Sequence, residues 1–339
     1  MEKSESMSPK SHSNRVGAVV IIAISCVLTA LSLFLIFNRQ YVIDQIAVWQ
    51  YHPTSAITTL INRTGMNDDG KFLYLASKPK VDATQSFNNE CDRVEKITSI
   101  LGCYSDYHIF IYDVTDPQLD GIKEVTAAHE TLHAAYMRMG SDEKAKVDKL
   151  LEIEYKKMAN NKDLTEMMAF YARTEPGQRD NELHSVIGTE ISNISPELET
   201  HYKKYFTDRQ KVVGLYNKYI SVFQKLSSRA SDLSDQLKAL AVTITAKSTQ
   251  YNTDAQTLNN DITAFNKRAT DGDFSSLSQF YAERNRLSSR VADLDATRTA
   301  INADVAKYNT TLDEYNSIAS ESKKLYNSID STLAPAPSV

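Results

Sequence analysis

The sequence predicts a mainly helical α+β chain: an N-terminal transmembrane helix, a small mixed domain with a few strands, and a long antiparallel coiled-coil hairpin at the C-terminal end. Three observations lead there. Glycine and proline number only 10 and 8 of 339 residues, so few positions break a helix. Residues 16–37 carry no charged side chain. Two stretches in the last third repeat apolar residues in alternating steps of three and four, the spacing of a heptad seam. The length is enough for more than one domain. A formal net charge of −5 with no clustered Lys or Arg run argues against a nucleic-acid partner, because phosphate neutralisation needs such a cluster.

The first element is the membrane span. The 22 residues of 16–37, at about 1.5 Å rise each, cross a hydrocarbon core of about 30 Å. A cleaved signal peptide is the alternative, but its apolar region is usually about 7–15 residues, and no small-x-small site precedes Asn38-Arg39-Gln40. Lys3, Lys10 and Arg15 lie before the span and only Arg39 soon after it. The basic-side rule then puts the tail 1–15 in the cytoplasm and the bulk of a single-pass chain outside the cell membrane. Cys91 and Cys103, twelve positions apart, suit a disulfide in such a compartment, with two unpaired buried thiols as the alternative.

A mixed domain is expected over 41–206. An amphipathic stretch at 41–60 is broken by His52-Pro53, and a turn cluster follows at 64–70. Residues 72–76 and 108–114 read as strands, being short β-branched and aromatic runs ended by Lys78-Pro79 and Asp116-Pro117. Residues 87–101 read as a helix stopped by Gly102. Further helices are expected at 122–139, 141–159, 164–173 and 178–194, with Ser195-Pro196 as N-cap and first residue of another.

The hairpin occupies 207–333. Its first seam runs through Val212, Tyr216, Tyr219, Phe223, Leu226, Ala230, Leu233, Leu237, Leu240 and Ile244, and past a polar Lys247 to Tyr251, Leu258 and Phe265. A second runs through Leu287, Val291, Leu294, Arg298, Ile301, Val305, Tyr308, Leu312 and Tyr315, then weakly to Tyr326, Ile329 and Leu333. The turn between them is 269–273. Helices of roughly 55–60 residues would make an arm on the order of 80–90 Å long; dimerisation with another chain is the alternative. The tail 334–339 is expected to be disordered.

Chemistry concentrates in the helix at 122–139, which contains His129-Glu130-Thr131-Leu132-His133. Residues four apart stand one above the other on a helix, so both imidazoles can reach one Zn²⁺ while Glu130 is rotated toward a metal-bound water. Between Val125 and Ala135 these three are the only titratable groups, among Val, Ala, Thr and Leu. A solvated surface helix would be more polar. The segment resembles the metal helix of the zincin metallopeptidases, and over residues 122–190, about a fifth of the chain, the sequence resembles a bacterial membrane-anchored metallopeptidase of the Glu-ligated type.

The resemblance implies a third ligand on a later helix. Within Asp180-Asn181-Glu182-Leu183-His184 the expected ligand is Glu182, with Glu190 and His184 as rivals and Glu166 as a weaker one; a solvated carboxylate is the bland alternative. Glu182 and Glu190 lie two turns apart, about 12 Å, so one ion cannot take both directly. Val186 stands where many Glu-ligated zincins place an Asp that orients a ligand His, so that support must come from elsewhere. The implied activity is hydrolysis of a protein or peptide by zinc-activated water, with Glu130 as general base. His184, or Tyr171 or Tyr136, would donate to the oxyanion, and the strand at 72–76 or 108–114 would take the peptide at its edge. The other expectation is a non-catalytic, membrane-tethered adaptor with a structural or relict metal site, whose arm docks an envelope partner.

Overall fold

The computed structural model of the chain describes residues 13–91 and 100–332. The expectations for most of 1–15, for 92–99 and for 334–339 fall outside them. Twelve helices and three short strands make up the described residues. They divide into two compact units, one drawn from Met1–Thr115, Asp120–Lys218 and Asp330–Val339, the other from Asp116–Leu119 and Tyr219–Ile329.

In the first unit, α1 (Ser13–Phe37) contains the apolar run Gly17–Phe37, none of it buried by the protein. Among the described residues it is the one helix long and apolar enough to cross a membrane. Only Asn38 separates it from α2 (Arg39–Gln50). The break at His52-Pro53 is real: α3 (Ser55–Thr64) starts beyond it, with Thr54 capping the N–H of Ile57.

The strand expected at 72–76 is instead the second half of α4 (Asp68–Ala76). Asn67 accepts from the N–H of Gly70 and two acids occupy the first turn, so a cap and the helix dipole favour a helix. A five-residue apolar run cannot by itself distinguish the two periods. Residues 108–114 do hold a strand, β3 (His108–Tyr112). It is central, pairing parallel with β1 (Lys80–Asp82) and antiparallel with β2 (Gly102–Ser105). The helix expected over 87–101 corresponds to α5 (Thr84–Glu90). Gly102 starts β2 rather than stopping a helix.

Cys91 and Cys103 form a disulfide, with Cα atoms 6.0 Å apart, inside the usual range for such a bridge. It joins the end of α5 to the second residue of β2, beside a cluster of Phe87 and Phe110.

The core is built on α6 (Ile122–Arg138), which packs on α9 (Arg179–Glu190), α3, α4, β2 and β3. Gly188 lets α9 pack closely on α6: a Cβ there would stand 2.3 Å from Leu132 Cδ1 and 2.8 Å from Tyr202. Between α6 and α9 lie α7 (Ser141–Lys157) and α8 (Lys162–Thr174); α10 (Pro196–Tyr202) follows, with Ser195 as N-cap. Buried Arg209 donates to the carbonyls of Ile187, Gly188, Ile191 and Ser192. It thereby supplies the C-terminal end of α9 with partners for its free carbonyls and a charge of the right sign.

The second unit holds most of α11 (Gln210–Asp271) and all of α12 (Leu277–Ile329). They run antiparallel: Arg229 pairs with Glu314, Lys247 with Asp304, Asp261 with Arg290 and Arg268 with Glu283. At the turn, Phe265, Phe274 and Phe280 form a ring cluster with centroids 5.2–5.3 Å apart. The inward positions of α11 include Tyr219, Phe223, Leu226, Leu233, Leu237, Leu240 and Leu258, as the periodicity implies. On α12 they are Leu287, Arg290, Leu294, Thr297, Ile301, Asp304, Tyr308 and Thr311. Val291 and Val305, expected inside, are exposed, and Arg298 pairs only with Asp295 on its own helix. Between Leu287 and Thr311 polar residues hold every second inward site of α12, so a search for apolar alternation steps one residue too far at Arg290 and Asp304.

Candidate metal centre

α6 is buried on all sides because its residues are small or apolar, and this takes His129, Glu130 and His133 into the interior. Glu130 and His133 are buried and His129 is nearly so. α9, equally buried from Asn181 to Thr189, crosses α6 at Gly188 and brings Glu182 opposite the two imidazoles. His129 Nε2 lies 3.8 Å from Glu182 Oε2, and His133 Nε2 lies 3.5 Å from Glu182 Oε1. One ligand atom from each of the three residues falls within 4.8 Å of the others. With Zn–N and Zn–O bonds of about 2.0–2.1 Å, tetrahedral ligands stand about 3.3 Å apart, so the two imidazole–carboxylate separations are near that spacing and the whole set would draw in around an ion.

Three features of the donor set fit a cation. His133 Nδ1–H donates to Asn181 Oδ1 at 3.0 Å, and the Asn181 amide is held in turn by Gln178. This leaves the Nε2 lone pair of His133 directed at Glu182, the support expected of a ligand imidazole. Asn181 thus supplies the orienting group that Val186 cannot, with Ser185 Oγ 3.1 Å from the same nitrogen. Glu182 Oε2 is buried and makes no close hydrogen bond, with His129 Nε2 standing off at 3.8 Å, a spacing that leaves the oxygen free to act as a ligand. The charges agree. Burial alone would lower the pKa of His129, but Glu182, Glu130 and Glu190 outweigh it and hold the group up at about 9. Burial lowers that of His133. Glu182 resists its own desolvation because both imidazoles face it, and its pKa stays low. A buried His-His-Glu group of this kind can hold a metal ion.

Glu130 lies against β2. A Cβ on Gly102 would stand 2.7 Å from Glu130 Oε1 and 2.5 Å from Thr126 Cγ2, so the absence of a side chain at 102 makes room for the carboxylate. Burial, with Glu182 and Glu175 nearby, pushes Glu130 up to about 8. Glu175, at the end of α8 before Pro176-Gly177, is pushed up to about 7 by burial and by Glu182.

The remaining sequence candidates separate clearly. His184 is fully buried, but its Nε2 is 2.9 Å from His201 Nε2 and its ring packs among Tyr136, Tyr202 and Tyr205. Tyr136 donates to Asp148. Tyr171 is held well above its ordinary pKa by burial and by Glu182, Glu190, Glu130 and Glu175, which makes it a protonated phenol among these carboxylates. Glu190 is paired with Tyr216, and Glu166 is exposed on α8. Sequence reasoning missed Asn181, Gly102 and Glu175. Asn181 had a signal, as the neighbour of the expected ligand on one helix. An acid before Pro-Gly has none, because it also reads as a turn.

Comparison with protein-family models, with curated proteins and with solved structures returns no match.

Proposed function

We propose that the chain is a membrane-anchored zinc metallopeptidase of the Glu-ligated zincin type, acting on extracytoplasmic or envelope protein segments. The observation that carries this reading is the convergence of His129, His133 and Glu182, with Glu130 on the same buried helix. His129, His133 and Glu182 would hold the ion, which when bound supplies a Lewis acid and a water of pKa about 7. Two imidazoles and one carboxylate also suit iron, so the metal itself is part of the proposal. Glu130, held up by burial, would be ionised by the charge of a cation beside it and, as a carboxylate, would take a proton from water and pass it to the leaving amine. Tyr171, a phenol kept protonated by its burial and by Glu182, Glu190 and Glu130, would be the donor to the oxyanion. Among the described residues β2 pairs with β3 alone, and its other edge, beside Glu130, would be the one to which an extended peptide adds. The paired α11 and α12 form a coiled-coil arm that docks a partner in the envelope, and α1 anchors the chain with its N-terminus in the cytoplasm.

A second reading is a tethered scaffold with a structural metal. The polar inward positions of α12, paired as Lys247–Asp304 and Asp261–Arg290, favour a specified rod. The full chain in detergent or nanodiscs separates the two readings, by metal content and peptide turnover. Glu130→Gln is expected to keep the metal and lose about 100-fold or more of turnover. An active Glu130→Gln would remove Glu130 from the mechanism. A metal-loaded wild type that cleaves no peptide would favour the scaffold.

A further inference from the structure

α2 has two faces. Inward, Asp44 and Ala47 are buried, and Arg138 in the last turn of α6 holds Asp44 through two bonds of 2.8 and 2.9 Å. Outward, Ile43, Ile46 and Trp49 are 46, 48 and 82% exposed, spaced three apart on one side of the helix. Arg39, also exposed, begins the same helix. α2 is therefore clamped to the body by a charged pair and leaves its apolar stripe in solvent, the reverse of an ordinary amphipathic helix.

The position of the stripe identifies its occupant. Asn38 alone separates α2 from the helix read as crossing the bilayer, and the 12 residues of α2 extend only about 18 Å. Every residue of the stripe is thus within reach of the membrane surface. Tryptophan favours that surface, where its ring meets acyl chains and its N–H meets water, and an adjacent arginine can reach a lipid phosphate. A protein partner fits less well. Three side chains expose at most roughly 400–500 Å², against about 800 Å² on each side of a stable protein interface.

We propose that Ile43, Ile46 and Trp49 of α2 lie in the headgroup–acyl boundary of the bilayer that α1 crosses, giving the body a second attachment to the membrane. This rests on the membrane-anchored reading above. Arg138 is five residues beyond His133, about 8 Å along α6, so the clamp to Asp44 would fix the metal centre at a set height over the lipid. The peptides in reach would be membrane-proximal segments on the outer side.

Trp49 is the single tryptophan of the chain, which makes the test direct. The full chain is reconstituted in phosphatidylcholine–phosphatidylglycerol vesicles, with part of the lipid brominated at either shallow or deep acyl positions. With the ring about 5–10 Å into the boundary, shallow bromines should at least halve its emission and deep bromines should quench it less, with little access for acrylamide. Ile43→Lys with Ile46→Lys should weaken the quenching and restore acrylamide access. Resistance to alkaline carbonate extraction reads α1 independently. A chain that resists extraction while Trp49 is unquenched by either lipid overturns the inference and leaves the anchor standing. So does acrylamide shielding of Trp49 that rises with protein concentration while neither brominated lipid quenches it, since a protein then covers the stripe. A chain released by carbonate overturns both readings.

Discussion

α6 and α12 are both regular helices, yet they are written by opposite rules. In α6, 13 of 17 residues are buried, among them Glu130 and His133 of the candidate site, while buried Glu124 is paired with Arg63 and Tyr136 with Asp148. In α12, 3 of 53 residues are buried, and its charges meet water or a partner across the pair. Helical periodicity is informative for α12, where one side differs from the other. In α6 little but Lys123 and the C-terminal Met137 and Arg138 reaches solvent, so periodicity carries little and residue size and type carry nearly everything. A titratable group is routine on α12 and costly on α6, and only there does it point to function.

Removing packing from each helix should separate them most. Leu132 is fully buried where α6 meets Gly188, so Leu132→Ala is expected to cost about 2–5 kcal/mol and to loosen the crossing that sets Glu182 opposite the imidazoles. Leu287, 8% exposed beside Leu258 and Phe265, should cost only about 1–2 kcal/mol on the same change. Hydrogen exchange of the two helices in the full chain measures both. Equal losses of protection would mean that α6 is no more tightly specified than α12.

A smaller change should act on chemistry instead of stability. Gly102→Ala places a methyl where Glu130 Oε1 and Thr126 Cγ2 now stand, and the carboxylate must move. Misplacement of about 1 Å can cost about 100-fold in rate, so peptide turnover should fall by roughly that factor while metal content, set by His129, His133 and Glu182, is retained. Unchanged turnover with full metal content would free the base from any dependence on β2.

The same contrast explains what was legible in the sequence. The uncharged run, the heptads of α11, and His129, His133 and Glu182 as a possible group could be read directly, because each depends on one element's own spacing or on a rare residue combination. Strand identity at 72–76 could not, because a short apolar run has no period and the Asn67 cap decided it. β2 was hidden because four residues starting at Gly102 owe their strand to pairing with β3. The turn of His184 toward His201 depends on α9 meeting α10, which no local pattern encodes. On α12 the error was systematic: Arg290, Thr297, Asp304 and Thr311 face inward, and apolar neighbours were taken in place of some of them.

Those inward polar sites give the mildest test. Lys247 reaches Asp304 at 2.7 Å, with side chains 43 and 24% exposed, so both remain in contact with water. An ion pair of this kind contributes about 0.2–1 kcal/mol, and less in high salt. Lys247→Ala should therefore shift the unfolding of the paired helices by no more than that, and Asp304→Leu should be neutral or stabilising, since it fills an inward position with apolar surface. Their value would then lie in register: the apolar replacement removes a partner that penalises slippage by a heptad. Disulfide trapping between cysteines placed on facing inward sites reads register directly. Wild-type chain should trap one pairing, and Asp304→Leu more than one; a single pairing in both would assign register to the ring cluster of Phe265, Phe274 and Phe280 at the turn.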